Sequence, residues 1–193
     1  MITRTVQGLP DDHLDGFFRN SHLLTEANLD IGDNPILIGE SSDGSEKREV
    51  WKRFSEGRLD GEADIFSFSV PGYSGKFHFD QGNEIKFVPK QDVDITWELD
   101  GSQGFTSFTL TVPDGTRYIF GEHLSKTAKE STKTIDVAEI DVFPTTWYLL
   151  RVETPDKKYH IDLEYVNENY SYASPSSCRW IYSSCLSTET PSN

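Results

Sequence analysis

From residue 60 onward the chain alternates apolar and polar residues, the period of a strand with one buried face. Phe66, Phe68 and Val70 alternate with Ile65, Ser67 and Ser69; Phe77 and Phe79 alternate with Lys76, His78 and Asp80. Gln81-Gly82-Asn83 reads as a turn, after which Ile85 and Phe87 alternate with Glu84 and Lys86. Val93, Ile95, Trp97 and Leu99 alternate with Asp92, Asp94, Thr96 and Glu98. Phe108, Leu110 and Val112 share a face answered by Tyr118 and Phe120. Tyr148, Leu150 and Val152 are matched by Tyr159, Ile161, Leu163 and Tyr165, with Lys158, His160, Asp162 and Glu164 pointing the other way.

Three of these runs are broken by proline turns: Val70-Pro71-Gly72, Val112-Pro113-Asp114-Gly115 and Thr154-Pro155-Asp156. Proline presets φ at the second position of a tight turn, and Gly or Asp suits the next, so each unit predicts a β-hairpin. The prolines recur at an interval of 42 residues (71 to 113, 113 to 155), a length known for propeller blades. The side-chain patterns between the turns do not match beyond the hairpin, so the reading is a run of similar hairpins.

The rest of the chain is less regular. Residues 1–44 are punctuated by Gly8, Pro10, Gly16, Gly32, Pro35, Gly39 and Gly44, and the strand expected there is Pro35-Ile36-Leu37-Ile38. Residues 45–58 predict a short helix: Ser45 caps it, Glu46 sits in its first turn, Val50, Trp51 and Phe54 share a face, and Gly57 ends it. Residues 121–143 are rich in Lys, Thr and Ser and read as a long loop, with a strand at Thr134–Val142. The expected fold is all-β, antiparallel hairpins forming a twisted sheet or sandwich, with at most one short helix near 45–57. The expected divisions are a turn-rich segment at 1–59, a hairpin region at 60–166, and a Ser/Asn-rich, disordered tail at 167–193.

Composition supports a β core. Of 193 residues, 35 % are hydrophobic and 12 % aromatic, and the apolar set leans on Phe, Tyr, Trp, Val and Ile. The formal net charge of −14 argues against a nucleic-acid surface and against anionic membranes. It fits a solvated acidic exterior. No apolar run approaches the ~18 residues of a membrane span. Met1-Ile2-Thr3-Arg4 leads into Gly8-Leu9-Pro10-Asp11-Asp12 with no apolar signal-peptide core.

No constellation predicts catalysis, a cofactor or a metal. The histidines, His13, His22, His78, His123 and His160, form no H-x-x-x-H spacing. Gly72-Tyr73-Ser74-Gly75 lies in a hairpin and lacks the nucleophile-elbow spacing. Acids at i, i+2, as in Asp92/Asp94 or Asp162/Glu164, read as solvent-facing strand residues. Asp60-Gly61-Glu62-Ala63-Asp64 offers hard oxygen ligands for calcium but lacks the loop length of an EF-hand. Cys178 and Cys185 lack two further zinc ligands; a disulfide and no special role both stay open. Tyr73, at a turn tip, is the aromatic expected to be most exposed.

Residues 60–80 carry a more specific signal. Asp60-Gly61-Glu62-Ala63-Asp64-Ile65-Phe66-Ser67-Phe68, then Pro71-Gly72-Tyr73-Ser74-Gly75-Lys76-Phe77, resembles the "D-x-E-P-D-x-F-x-F-x-x-x-G-Y-S-G-x-F" pattern of bacterial RHS/YD-repeat proteins, in the segment before their repeats. Ala63 departs from the usual proline. Met1–Asp12 is similar to their "I-T-R-x-V-x-G-x-P-D" signature, and Thr111–Gly121, with Pro113, Asp114, Gly115 and Tyr118, to their "T-x-D-G-x-x-Y-x-F-G" hairpin. Trp147-Tyr148-Leu149-Leu150-Arg151-Val152, with Pro155 and Tyr159 to Tyr165, is similar to their "W-Y-L-x-x-I-x-S-P" strand pair.

The resemblance covers roughly residues 1–172 and rests on the shared order of these motifs. It implies an all-β region of a large exported or cell-surface protein whose YD repeats wind into a hollow shell that can enclose a toxin. No YD repeat, core-cleavage segment or toxin domain follows, so a truncated member is expected. The expected function is a non-enzymatic structural module lending β-sheet to such a shell, with the remaining shell chain as partner. The rival is a stand-alone β-sandwich that binds glycan or peptide through aromatics on a concave face.

Overall fold

The computed structural model describes residues 1–14, 16–20, 52–53, 60–101, 104–135 and 140–166. The described chain is all-β. Its strands are β1 (Ile2–Thr5), β2 (Ile65–Val70), β3 (Tyr73–Phe79), β4 (Ile85–Val88), β5 (Asp94–Asp100) and β6 (Gly104–Thr111), then β7 (Arg117–His123), β8 (Lys126–Ile135), β9 (Ile140–Trp147), β10 (Leu149–Glu153) and β11 (His160–Asp162). All pairings are antiparallel, and the hydrogen-bonded path runs β11-β10-β7-β8-β9-β1-β2-β3-β4, with β6 also on β7 and β5 on β6. The result is an open, twisted sheet.

The three proline turns close the hairpins β2–β3, β6–β7 and β10–β11. In the first, Val70 pairs with Tyr73 and Gly72 takes φ +81°, the left-handed value that a type II turn needs after proline. The second and third turns meet: a Cβ on Gly115 would lie 2.9 Å from the Pro155 ring. They meet because β7 pairs with β10, Tyr118 opposite Val152 and Arg117 opposite Glu153.

The sheet folds so that strands distant along the path face each other. Phe66 of β2 lies 5.8 Å from Phe105 and 5.7 Å from Phe108 of β6, ring centre to ring centre. Phe79 of β3 stacks on Phe105 at 5.2 Å and meets Trp97 of β5 edge-on at 5.0 Å. Phe66, Phe77, Phe79, Phe105, Phe108, Phe120 and Trp147 are fully buried. At about 1.5–3 kcal/mol for each buried large side chain, this aromatic cluster outweighs any single polar contact.

Gly121 sets the bend between the two faces. Residues Arg117–Phe120 of β7 lie between β6 and β10, whereas Gly121–His123 pair with β8. Gly121 has φ +85°, and a Cβ there would collide with the Thr106 carbonyl oxygen and the Trp147 ring. Only glycine satisfies both the dihedral and the space.

Three expectations are corrected. Residues 121–143 are mostly strand: the end of β7, then β8 and the start of β9. Their sequence hid this because β8 is Thr-rich and buries Ala128 rather than an alternating apolar series. The N-terminal strand is Ile2–Thr5, while Pro35–Ile38 lies outside the described residues. Tyr73 is half-buried and packs against the core instead of projecting from its turn. Tyr159, Ile161 and Tyr165 are exposed, at 72 %, 68 % and 46 %, because β11 ends the sheet path and no layer of described residues covers it. Of the helix expected at 45–57, Lys52 and Arg53 are helical and the rest lies outside the described residues. So do the tail at 167–193 and both cysteines. A single helical turn at Phe17–Asn20 presses Phe18 edge-on against Phe79 and Phe105.

Candidate functional site

The densest polar cluster is buried where β1 and the residues after it meet the approach to β2. Ile2 and Arg4 occupy the inner face of β1, opposite Phe68 and Phe66. Arg4 is therefore carried into the core, where an unpaired guanidinium would be severely destabilising. Its Nη1 donates to Asp12 Oδ1 at 2.6 Å and its Nη2 to the Pro144 carbonyl at 2.5 Å. Its guanidinium lies 5.4 Å from the centre of the Phe143 ring and 5.5 Å from that of Trp147, within cation–π range.

The carboxylates around it serve backbone amides. Asp64 Oδ1 accepts from Gln7 N at 2.8 Å and Asp64 Oδ2 from Asp11 N at 2.9 Å. Asp11 Oδ1 returns the contact by accepting from Asp64 N at 2.9 Å. Asp60 Oδ2 accepts from Leu9 N at 2.8 Å and its Oδ1 from Glu62 N at 3.0 Å. Asp12 Oδ2 accepts from Phe105 N at 2.7 Å, which ties the same knot to β6. Gly104, at φ +78°, is needed beside it, because a Cβ would collide with the Asp12 carboxylate.

Asp11, Asp12 and Asp64 crowd one cation, Arg4. Burial, reinforced by the neighbouring Asp64 charge, pushes the Asp11 carboxyl up to about 8. Burial likewise pushes Asp64 up to about 6, against the pull of the amides of Asp11 and Gln7. Burial also raises Asp60. Asp11 is thus a neutral acid at neutral pH, and its second oxygen, Oδ2, is buried without a partner among the described residues. An unmatched neutral oxygen costs far less than an unmatched anion.

The cluster accordingly works as a staple. N–H donors point at Asp60 and Asp64, which is the wrong polarity for the calcium site that the Asp60–Asp64 acids suggested. Among the described residues no group of three or more His, Cys, Asp or Glu is arranged to hold a metal ion. No described helix is long and apolar enough to cross a membrane.

The motif residues fall into three places. Asp60 and Asp64 join the staple, and Glu62 is exposed beside them. Phe66, Phe68, Phe77 and Trp147 form the core, where Trp147 Nε1 donates to the Phe105 carbonyl at 3.0 Å. Gly75 lets the Phe68 ring approach, since a Cβ would lie 3.1 Å from it. Gly72, Tyr73 and Ser74 make the first proline turn and the start of β3, and Pro113, Asp114 and Gly115 the second turn, where Asp114 Oδ1 accepts from Thr116 N at 2.7 Å. Tyr118 is half-buried against the core, and Tyr148 OH donates to Glu130 Oε2 at 3.0 Å.

Comparison with protein-family models, curated proteins and solved structures finds no match to this chain.

Residue-by-residue reading did not single out Arg4, Asp11 and Asp12 as a site. The available signal was an arginine on a strand too short to be amphipathic, followed by Gly8-Leu9-Pro10-Asp11-Asp12. The expectation that i, i+2 acids face solvent fails for Asp60 and Asp64, at 8 % and 0 % exposure. They precede β2 in irregular chain, where strand parity does not apply.

Proposed function

We propose that this chain is a non-enzymatic structural module of the RHS/YD-repeat type, lending β-sheet to a larger exported or cell-surface shell. The observation that carries the reading is the contrast between β4 and β11, the two ends of the hydrogen-bonded path. At one end β4 is guarded by Lys86, Pro89 and Lys90, residues that discourage strand addition. At the other, β11 pairs with β10 alone among the described residues and presents Tyr159 and Ile161, which a further strand would cover. The carboxylates of the motif acids Asp60 and Asp64 are engaged with backbone amides, which suits a structural role. The partner in this reading is the remaining chain of the shell, adding strands at β11. The glycan-binding rival has less support, since Phe66, Phe77, Phe79, Phe105 and Phe108 lie in the core.

The test is size-exclusion chromatography with light scattering on residues 1–193, joined to a thermal melt. Concentration-dependent association that Ile161→Lys abolishes without lowering the melting temperature is expected. A monodisperse monomer with a cooperative melt, unchanged by Ile161→Lys, would overturn the module reading in favour of a stand-alone domain.

A further inference from the structure

The solvent-side face of β5, β6, β7 and β10 carries a second feature that the staple and the edge do not use. A cavity of about 360 Å³ is lined by Glu98, Ser107, Thr109, Arg117, Ile119 and Glu153, and walled by the tip of the β7–β8 hairpin. Strand parity places these floor residues opposite Phe108, Leu110 and Phe120 of the core. The bend at Gly121 is what brings Glu122, His123 and Leu124 to the cavity wall. Its volume lies in the range of small-ligand sites.

Its charges are unevenly matched. Arg117 Nη1 is held by Glu153 Oε2 at 3.0 Å, and Glu122 Oε1 by Lys129 Nζ at 2.5 Å. The third carboxylate, Glu98, receives the Ser107 hydroxyl at 3.1 Å and has no ion-pair partner among the described residues. Leu124, 80 % exposed with φ +54°, offers an apolar surface at the rim.

We propose that this cavity binds an organic cation, the guanidinium or ammonium side chain of a basic peptide, with Glu98 as its counter-ion. The ligand's N–H groups meet the Glu98 carboxylate, and its aliphatic stem lies on Leu124. A metal ion fits poorly, since the described His and carboxylate groups are not clustered for one. An anion fits worse, because Arg117 is already taken and Glu98 repels it. A sugar ring finds no aromatic lining. The net charge of −14 draws cationic partners toward the surface.

The test is an NMR titration of residues 1–193 with N-acetyl-arginine amide, beside its uncharged citrulline analogue and inorganic phosphate. Saturable shifts at the amides of Ser107 and Leu124 are expected, with a Kd on the order of 1 mM. Glu98→Gln should weaken binding about tenfold, the loss of one charge-assisted hydrogen bond, while leaving the thermal melt unchanged. Equal affinity for the citrulline analogue, saturation by phosphate instead, no saturation at ten times the expected Kd, or full affinity in Glu98→Gln would each overturn the assignment.

Discussion

Arg4→Met is the substitution that tests the staple most directly. Methionine replaces the stem of Arg4 with similar volume, so the change removes charge and hydrogen bonds without opening a large cavity. What remains is an Asp12 side chain only 3 % exposed, still held by Phe105 N but stripped of its cation. The Pro144 carbonyl also loses its donor. Breaking a buried ion pair by removing one partner costs about 3–5 kcal/mol. At roughly 2–4 °C per kcal/mol for a chain of this size, the melting temperature should fall by roughly 6–20 °C. The cost must depend on pH, because Arg4 also favours the ionised forms of Asp11 and Asp64, which are protonated near pH 5 and lose their protons toward pH 8. Urea unfolding near pH 8 should therefore show a larger loss than unfolding near pH 5. The double variant Arg4→Met with Asp12→Asn should regain about half of the loss near pH 8. A loss below about 1 kcal/mol, the ceiling for an exposed pair, would refute the staple, as would equal losses at both pH values.

The wild-type protein should itself be more stable near pH 5 than near pH 8. Asp11 and Asp64 have folded values raised to about 8 and about 6 from 3.8, so the folded state holds protons that the unfolded chain has released; their contribution is full below 3.8 and is lost as pH rises through 6 and 8. A urea midpoint that climbs across this window would contradict the assignment. Gly121→Ala should abolish cooperative melting, since its Cβ meets the Thr106 carbonyl and the Trp147 ring; a melt within a few degrees of wild type would show that the bend is not needed. Trp97→Asp should unfold the protein, because Trp97 closes on Phe18 and Phe79, whereas Glu98→Gln on the opposite face should be nearly silent; equal effects in circular dichroism melts would reject the register of β5.

The parts of the fold that could be read from the sequence are those where packing alternates along one strand. Phe66, Phe68, Phe77, Phe79, Phe108 and Leu110 announced their face because each is buried beside a polar neighbour. The proline turns were equally legible, since Gly72 and Gly115 take the positive φ that their turns require. Three kinds of feature were hidden. The strand β8 is Thr-rich, and its pairing with β7 and β9 supplies what its sequence does not announce. The exposure of Tyr159 and Ile161 depends on β11 being last in the sheet, which no local pattern encodes. The staple joins residues 53 positions apart, Asp11 and Asp64, in chain with no period at all. The motif from Asp60 to Phe68 marked half of that staple; the half on residues 4–12 became visible only when β1 was seen beside β2.

That placement explains why charge is spent in the middle of an apolar core. β1 lies between β2 and β9, yet it is four residues long and carries one large apolar side chain inward, Ile2. A slip of one residue would turn Ile2 outward and put Thr3 and Thr5 inside, a modest loss on hydrophobic grounds alone. With Arg4 present the slipped register also strands Asp12 without its cation and moves the guanidinium off the Phe143 and Trp147 rings. The aspartates add a second constraint from outside the strand, because Gln7 and Leu9 N–H groups reach Asp64 and Asp60 in only one register. Where β2 and β3 fix their alignment with five aromatic and aliphatic side chains, β1 fixes its own with one arginine and the acids that meet it.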